Sequence, residues 1–133
     1  MRRTVRTVGA PLPVGAYSQA VISGDLVFTA GQIGIDPSTG MLEDGLSAQT
    51  ARALSNVREI LREAGTDMDG VLKLNLYITD MSDFDLVNRI YSSSFEEPYP
   101  ARSIVQAAAL PLGALIEIEA VAVIHEGGMK SDR

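Results

Sequence analysis

The sequence contains no cysteine and only one histidine, His125, among its 133 residues. The absence of cysteine excludes disulfides, thiolate metal sites and thiol nucleophiles. A single histidine near the C-terminus excludes a metal site built from several histidines. It also removes the base that a serine–histidine–aspartate triad would need inside the fold. We therefore expect no metal site in this protein.

Basic residues are also few, with 11 lysines and arginines against 17 aspartates and glutamates, for a formal net charge of −6. Binding of nucleic acid needs a basic face that neutralises phosphates, so this balance argues against a nucleic-acid partner. No stretch approaches the roughly 18 apolar residues of a membrane span. Pro11 and Pro13 interrupt any signal-like apolar region after the first residues. The sequence predicts a soluble, cytoplasmic protein without a membrane partner.

The remaining composition is that of an ordinary globular domain, with 46% hydrophobic and 21% charged residues. We place a single domain over 1–133, with 127–133 as a flexible tail. Alternating apolar residues and turn signals predict six strands, and apolar residues at three- to four-residue spacing predict two helices. The strands are predicted at 4–7, 18–22, 25–33, 71–79, 103–110 and 115–124, and the helices at 47–64 and 82–95.

This order of elements predicts an α/β sandwich in which a six-stranded sheet packs against two helices. Because crossover connections are right-handed, both helices should cover the same face of the sheet. The opposite face then has no element to cover it, and we assign to it Val27, Ile33, Leu115, Val121 and Val123. An uncovered apolar face predicts association, so we expect a homo-oligomer.

Charged residues at strand positions are the first candidates for chemistry. Arg102 follows two prolines at the start of a strand, where its guanidinium could bind a carboxylate; an ordinary surface arginine is the alternative. Glu117 and Glu119 alternate with isoleucines on the last strand, so both point away from the isoleucine face. They form either a solvent-exposed stripe or, on a face buried between subunits, a candidate general base.

Three further residues are candidates for ligand contact, each with a plainer alternative. Tyr17 is either a packing aromatic or a ligand contact, and Asn88 in a predicted helix either caps a loop or reaches a ligand. Gly31 ends a strand and exposes a backbone N–H that a carboxylate could approach. Gly31 and Gly34 do not form a dinucleotide- or phosphate-binding loop, because the other residues of those motifs are missing. These residues alone do not select a reaction.

Five segments, spread over nearly the whole chain, carry a family resemblance. They are Gly15-Ala16-Tyr17-Ser18-Gln19, Thr29-Ala30-Gly31-Gln32-Ile33, Val87-Asn88, Pro100-Ala101-Arg102-Ser103, and Leu110-Pro111 through Ile116-Glu117-Ile118-Glu119-Ala120. In this order and spacing they resemble the RidA (YjgF) family of reactive-intermediate imine deaminases. The specific signal is the Pro-Ala-Arg-Ser segment followed by Ile-Glu-Ile-Glu-Ala.

The resemblance implies a chorismate-mutase-like fold with a mixed sheet, and a homotrimer whose sheets form a central barrel with ligand clefts between subunits. It implies hydrolysis of 2-imino acids, such as 2-iminopropionate and 2-iminobutyrate, to 2-oxo acids and ammonia without a cofactor. By position, Arg102 would hold the substrate carboxylate, and Glu117 would position or activate the attacking water. Gly31 would contribute a backbone donor, while Tyr17 and Asn88 would line the cleft.

Two positions of the substrate pocket depart from the family pattern. Ala30 stands where deaminating members commonly have serine, and Ile104 stands where they often have cysteine, so the pocket becomes more apolar and bulkier. Two alternatives follow: a relative that deaminates another substrate, such as 2-aminomuconate, or a non-catalytic trimer that binds carboxylates as a sensor. Some relatives are labelled ribonucleases, a role that the net charge of −6 argues against.

Overall fold

The computed structural model describes residues 2–125, so the tail predicted at 127–133 lies outside the described residues. The strands are β1 (Arg2–Val5), β2 (Ala20–Ser23), β3 (Leu26–Thr29), β4 (Gln32–Ile33), β5 (Ile35–Asp36), β6 (Met41–Leu42), β7 (Val71–Ile78), β8 (Ala101–Gln106) and β9 (Ile116–Val123). The helices are α1 (Leu46–Ala64) and α2 (Phe84–Ser92). The main sheet has the order β1-β2-β3-β9-β7-β8, with β4 also paired to β9, and β5 and β6 form a separate hairpin.

The two helices cover one face of this sheet. α1 forms because apolar residues recur along one side, where Ala53 and Val57 are fully buried, and it packs on β9 and on α2. Gly65 ends α1 at φ 101°, a left-handed conformation that glycine adopts without steric cost. α2 buries Val87 and Tyr91 in the same core. The predicted arrangement of two helices on a mixed sheet is thus confirmed.

The main sheet is mixed because α2 connects two parallel strands. β8 runs parallel to β7, with Arg102 opposite Leu74, whereas the other pairings in the sheet are antiparallel. β9 therefore lies at the centre of the sheet and β8 at one edge. Side chains that alternate along β9 and β7 point in turn toward the helices and away from them.

Within residues 2–125 the main sheet has seven strands, whereas the sequence predicted six. The run predicted at 25–33 is divided into β3 and β4. β3 pairs with β9 at Phe28 and Val121, and β4 pairs with β9 at Gln32 and Ile118. Between these two pairs, the three residues 29–31 lie opposite only two residues of β9, Glu119 and Ala120. One extra residue of this kind is a β-bulge, which interrupts the ladder and reverses the alternation of side chains beyond it.

The sheet face opposite the helices, called the open face below, is uncovered in a single chain. Ile33, Val121 and Val123 lie on it, as predicted, whereas Val27 does not. Val27 is fully buried on the helix side, and Phe28 takes its place on the open face with 44% of its surface exposed. Val27 and Ile33 would share a face of a regular strand, and the bulge between them separates the two.

Buried amide side chains fasten two loops to the core. Gln19 accepts a hydrogen bond from the Thr7 N–H at 2.7 Å and donates to the carbonyls of Thr7 and Pro11 at 2.9 Å each. Asn56 of α1 donates to the Ile35 carbonyl at 2.9 Å. Because buried polar groups that lack partners are costly, these bonds fix where the loops lie. They hold the N-terminal segment and the start of the β5–β6 hairpin against the core.

Candidate active site

The two glutamates of β9 lie on the open face, as the alternation predicted. Ile116 and Ile118, between which Glu117 lies, are fully buried on the helix side. Glu117 is half-buried opposite Tyr77 of β7. Burial raises the pKa of Glu117, and the neighbouring negative charge of Glu119 raises it further. A carboxylate with a raised pKa is suited to accept a proton from water in a reaction near neutral pH.

Glu119 is held in one position by two donors from β7. The Asn75 side-chain amide and the Tyr77 hydroxyl each donate to Oε2 of Glu119 at 3.1 Å. Burial raises the pKa of Tyr77, and so does the adjacent charge of Glu119. Tyr77 therefore stays a neutral donor at physiological pH, and the open face carries a hydrogen-bonded carboxylate beside the candidate base.

The bulge brings a glycine against the carboxylate of Glu117. The Ala30 N–H donates to the Gln19 carbonyl at 2.8 Å, and the Thr29 hydroxyl accepts from the Ala120 N–H at 3.0 Å, so the bulge has bonds of its own. A Cβ atom on Gly31 would lie 2.5 Å from Oε2 of Glu117 and 2.8 Å from its Cδ. Only glycine allows the carboxylate to occupy this position.

Replacing Gly31 with alanine is expected to displace the Glu117 carboxylate and lower kcat by about 10²-fold, the cost that a misplacement of roughly 1 Å can have. Its fold should remain intact, because the closest clash is with the end of a flexible side chain rather than with backbone. The measurement is kcat for hydrolysis of 2-imino acids, the activity that the family resemblance implies, together with the melting temperature.

The matched control is the same substitution in a Glu117→Gln background, where it should cost little further activity. An equal loss in both backgrounds would show that Gly31→Ala acts through something other than this carboxylate.

A groove continues from the bulge along the open face. It is lined by Arg2, Gly15, Ala16, Tyr17, Ser18, Val21, Phe28, Thr29 and Ala30. Tyr17 is 51% exposed there, and its backbone N–H donates to the Gly15 carbonyl at 2.9 Å, which fixes the turn that carries the ring. Of the predicted contact residues, Gly31 thus lies against Glu117, and Tyr17 and Ala30 line the groove that continues from the bulge.

Arg102 lies on the other side of the sheet, at the β8 edge, under α2. Its Nη1 donates to Oδ1 of Asn88 at 2.7 Å, and its Cζ lies 4.7 Å from the ring centroid of Tyr91 and 5.6 Å from that of Phe84. Rings at these distances attract a cation. The guanidinium is therefore fixed by one hydrogen bond and two aromatic rings, with its remaining N–H groups left to bind an anion.

A cleft of about 390 Å³ opens beside this guanidinium. It is lined by Asn88, Tyr91, Ser92, Tyr99, Pro100 and Arg102. Ile104 points to the same side of β8 as Arg102, two residues further along the strand, and packs against the core. The second predicted group, Arg102, Asn88 and Ile104, therefore lies together at this edge.

The structure does not bring the two groups together within one chain. Arg102 lies opposite Leu74, which is fully buried on the helix side, whereas Glu117 lies opposite Tyr77 on the open face. The candidate carboxylate-binding group and the candidate base thus lie on opposite faces of the same sheet. A site that uses both must combine surfaces from different copies of the chain.

Sequence reasoning missed the partners of the two candidate catalytic residues. Phe84, Asn88 and Tyr91 follow one another at four- and three-residue spacing, which places them on one side of α2. That spacing was a signal that Asn88 and the two rings act on a common group. The hydrogen bonds from Asn75 and Tyr77 to Glu119 had no comparable signal, because they join strands more than 40 residues apart.

Neither a metal site nor a membrane-spanning helix is present in the part of the chain that the structure describes. Within residues 2–125, no group of three or more histidine, aspartate or glutamate side chains is arranged to hold a metal ion. Across the same residues, neither helix combines the length and the apolar character needed to cross a bilayer.

Known proteins match this chain over nearly its whole length. The sequence model of the family described as Endoribonuclease L-PSP matches residues 7–124. A human protein named 2-iminobutanoate/2-iminopropanoate deaminase is 47% identical over 124 residues, which are 92% of this chain and 90% of the human protein.

Solved structures also match this chain over most of its length. RidA from the Antarctic bacterium Psychrobacter sp. PAMC 21119 has a TM-score of 0.90 and 43% identity, covering 92% of this chain and 99% of that one. TdcF from E. coli, solved with bound serine, has a TM-score of 0.89 and 39% identity, with the same coverage. These matches confirm the resemblance carried by the five segments, and the chain belongs to the RidA (YjgF) family.

Proposed function

We propose that the protein is a cofactor-independent deaminase that hydrolyses 2-imino acids, such as 2-iminopropionate and 2-iminobutyrate, to 2-oxo acids and ammonia. The observation that carries the proposal is the pair of a half-buried carboxylate, Glu117, and a fixed guanidinium, Arg102. Support also comes from 47% identity to a human protein named for this activity. Serine, bound in E. coli TdcF, carries a carboxylate next to a nitrogen-bearing carbon, as a 2-imino acid does.

Arg102 binds the substrate carboxylate in this proposal. A guanidinium presents planar N–H groups that match the two oxygens of a carboxylate, and one of its nitrogens is already oriented by Asn88. Binding through the carboxylate fixes the neighbouring imine carbon, C2, in one place. Positioning of this kind removes part of the entropic cost of bringing water and C2 together.

Glu117 then activates the water that attacks C2. The water oxygen forms a bond to C2 of the protonated imine while one water proton moves to the carboxylate. The C=N electron pair moves to nitrogen, which becomes the amino group of a tetrahedral carbon that also bears a hydroxyl. Glu117 returns the proton to this nitrogen, the C–N bond breaks and ammonia leaves. The C2 hydroxyl gives its proton to the Glu117 carboxylate as the C2–O bond becomes a carbonyl. A protonated imine is already electrophilic, so the proposed reaction needs no metal or cofactor.

The remaining predicted residues line the proposed cleft. Tyr17 and Ala30 form its wall on the open face, and Asn88 and Ile104 form its wall at the β8 edge. Gly31 contributes a backbone donor. Since Ala30 offers no hydroxyl and Ile104 is aliphatic, the proposed pocket favours small apolar substrate side chains. A cytoplasmic location belongs to the same proposal, because the family resemblance implies substrates released by intracellular dehydratases of serine and threonine.

A trimer that closes its sheets into a central barrel would bring the two groups together. In this arrangement the β8 edge of one subunit, with Arg102, lies against the neighbouring open face, with Glu117. Two observations support it: the groups lie on opposite faces of one sheet, and the open face exposes apolar side chains such as Phe28. Burial of such a face is a sufficient reason for association.

The direct test of the reaction is ammonia release by the wild-type protein from 2-iminopropionate and 2-iminobutyrate generated in situ. Acceleration over the uncatalysed hydrolysis is expected for both substrates. No acceleration by a trimeric preparation would contradict the proposal and favour a carboxylate-binding role instead.

Mixing inactive variants is expected to restore activity, because each site takes Arg102 from one subunit and Glu117 from another. When Arg102→Ala and Glu117→Gln subunits are unfolded together and refolded at equal amounts, about one site in four regains both groups by random assortment in a closed ring. The measurement is ammonia release by the mixture relative to refolded wild type.

The control mixture combines Glu117→Gln with the double variant Arg102→Ala/Glu117→Gln, in which no site regains a base. A first mixture no more active than its two components would place both residues in the site of a single chain and contradict the shared cleft.

A further inference from the structure

Glu119 is positioned more firmly than a surface carboxylate needs to be. It lies two residues from Glu117 on the same strand and on the same face, with only the oppositely directed Ile118 between them. Its Oε2 accepts hydrogen bonds from Asn75 and Tyr77, both on β7. Two donors on one oxygen hold this carboxylate in a fixed orientation beside the proposed base.

We propose that Glu119, held by Asn75 and Tyr77, is a positioning residue that sets the pH at which Glu117 becomes available as a base. The inference rests on the proposed deaminase function, since it assigns a role to a neighbour of its base. Glu119 does not contact the substrate in this assignment and acts only through Glu117.

The physical basis is repulsion between like charges on a partly buried surface. A nearby negative charge favours the protonated form of a carboxyl group, and it adds here to the effect of burial in raising the pKa of Glu117. A carboxylate that binds its proton more tightly is the stronger base for removing a proton from the attacking water. Fixing Glu119 prevents it from turning away into solvent, where its effect on Glu117 would be screened.

Among the described residues, no other negatively charged group on the open face takes the place of Glu119 in raising the pKa of Glu117. Lys73 of β7 donates to the Ser103 hydroxyl at 3.1 Å, so its ammonium is directed toward the β8 edge. Arg2 lies on β1, across the groove, with Tyr17. Around Glu117 itself, β4 presents Ile33 and β7 presents Tyr77.

The test is a pH titration of the Glu117 side-chain carboxyl by ¹³C NMR in the trimeric protein, comparing wild type with Glu119→Gln. A glutamine oxygen still accepts from Asn75 and Tyr77, so the variant removes the charge and keeps the bonds. We expect the Glu117 midpoint to fall, and the acid limb of the kcat profile to move to lower pH by the same amount. The plateau kcat should fall by less than the roughly 10²–10⁴-fold that general-base catalysis supplies.

A second variant, Tyr77→Phe, leaves every charge in place and removes one of the two donors. A smaller fall of the Glu117 midpoint in the same direction is expected from it. The matched control is Glu63→Gln, which removes the same charge from the exposed side of α1. Because α1 covers the opposite face of the sheet, this variant should leave the Glu117 midpoint unchanged.

These outcomes separate the inference from the function on which it rests. A Glu117 midpoint unchanged in both Glu119→Gln and Tyr77→Phe overturns the inference, whether or not the protein hydrolyses imines. An equal fall in Glu63→Gln overturns it as well, because the effect would then belong to net charge. If Glu119→Gln lowers the Glu117 midpoint specifically but the wild-type protein hydrolyses no imine, the proposed function is overturned. The positioning role of Glu119 in that reaction is then overturned with it.

Discussion

Replacing Glu117 with glutamine is expected to lower kcat for hydrolysis of 2-iminopropionate by about 10²–10⁴-fold, the usual contribution of general-base catalysis. Glutamine has nearly the same size and can still hydrogen-bond water, but it cannot accept the proton that water loses on attack. KM should change little, because the proposed binding group for the substrate carboxylate is Arg102 and not Glu117. Steady-state ammonia release gives both constants.

The pH dependence of the wild-type enzyme provides a second view of the same residue. Since burial and Glu119 raise the pKa of Glu117, kcat should fall as the pH drops through that raised pKa and the base becomes protonated. This decrease of kcat at low pH, the acid limb of the profile, should be absent in Glu117→Gln. A limb that persists in this variant would belong to another group and contradict the assignment of Glu117 as the base.

Stability measurements distinguish lost chemistry from a lost fold. A raised pKa means that the folded chain binds more protons than the unfolded chain between the two pKa values of Glu117. The free energy of unfolding therefore decreases as pH rises through that window. Glu117→Gln removes this penalty and should be at least as stable as wild type at neutral pH. Reduced stability would make a folding defect the explanation of any lost activity.

Replacing Arg102 with alanine should reduce kcat/KM by about 10²–10⁴-fold, because hydrogen bonds to charged groups contribute roughly 1.5–3 kcal/mol each and a carboxylate takes two. Arg102→Lys keeps the charge but not the planar fork and should fall between wild type and alanine. The effect should appear mainly in KM, and the sedimentation coefficient of the variant should equal that of the wild type.

Competitive inhibition by a 2-oxo acid product isolates this binding step from the reaction. 2-Oxobutyrate carries the same carboxylate and needs no activated water, so its affinity should fall in Arg102→Ala and remain near wild type in Glu117→Gln. Unchanged inhibition in Arg102→Ala would show that the carboxylate binds elsewhere, and the cleft beside α2 would lose its proposed role.

The layers of the fold could be predicted from the sequence because they depend on local periodicity. The spacing of Leu54, Val57 and Leu61 predicted α1, and the alternation around Ile118 predicted both the buried and the open side of β9. The bulge could not be predicted in this way. Its single extra residue becomes visible only against the register of β9, about 90 residues further along the chain.

The candidate residues themselves were predictable, but their arrangement was not. Arg102 and Glu117 were selected by residue type, strand position and family resemblance. Which face of the sheet each occupies depends on the parallel register of β8 against β7 and the antiparallel register of β9. Such registers are set by long-range packing, and neither strand carries a local mark of its partner.

The pairing of the main sheet does not need the bulge, whereas the proposed site does. A segment one residue shorter would join Phe28 to Gln32 as one continuous strand, with the same partners Val121 and Ile118 on β9 and an unbroken alternation. The sheet would be more regular and would lose no pairing at either end. The additional residue thus serves the glycine beside Glu117, and the protein keeps an interruption in its central sheet where the carboxylate needs room.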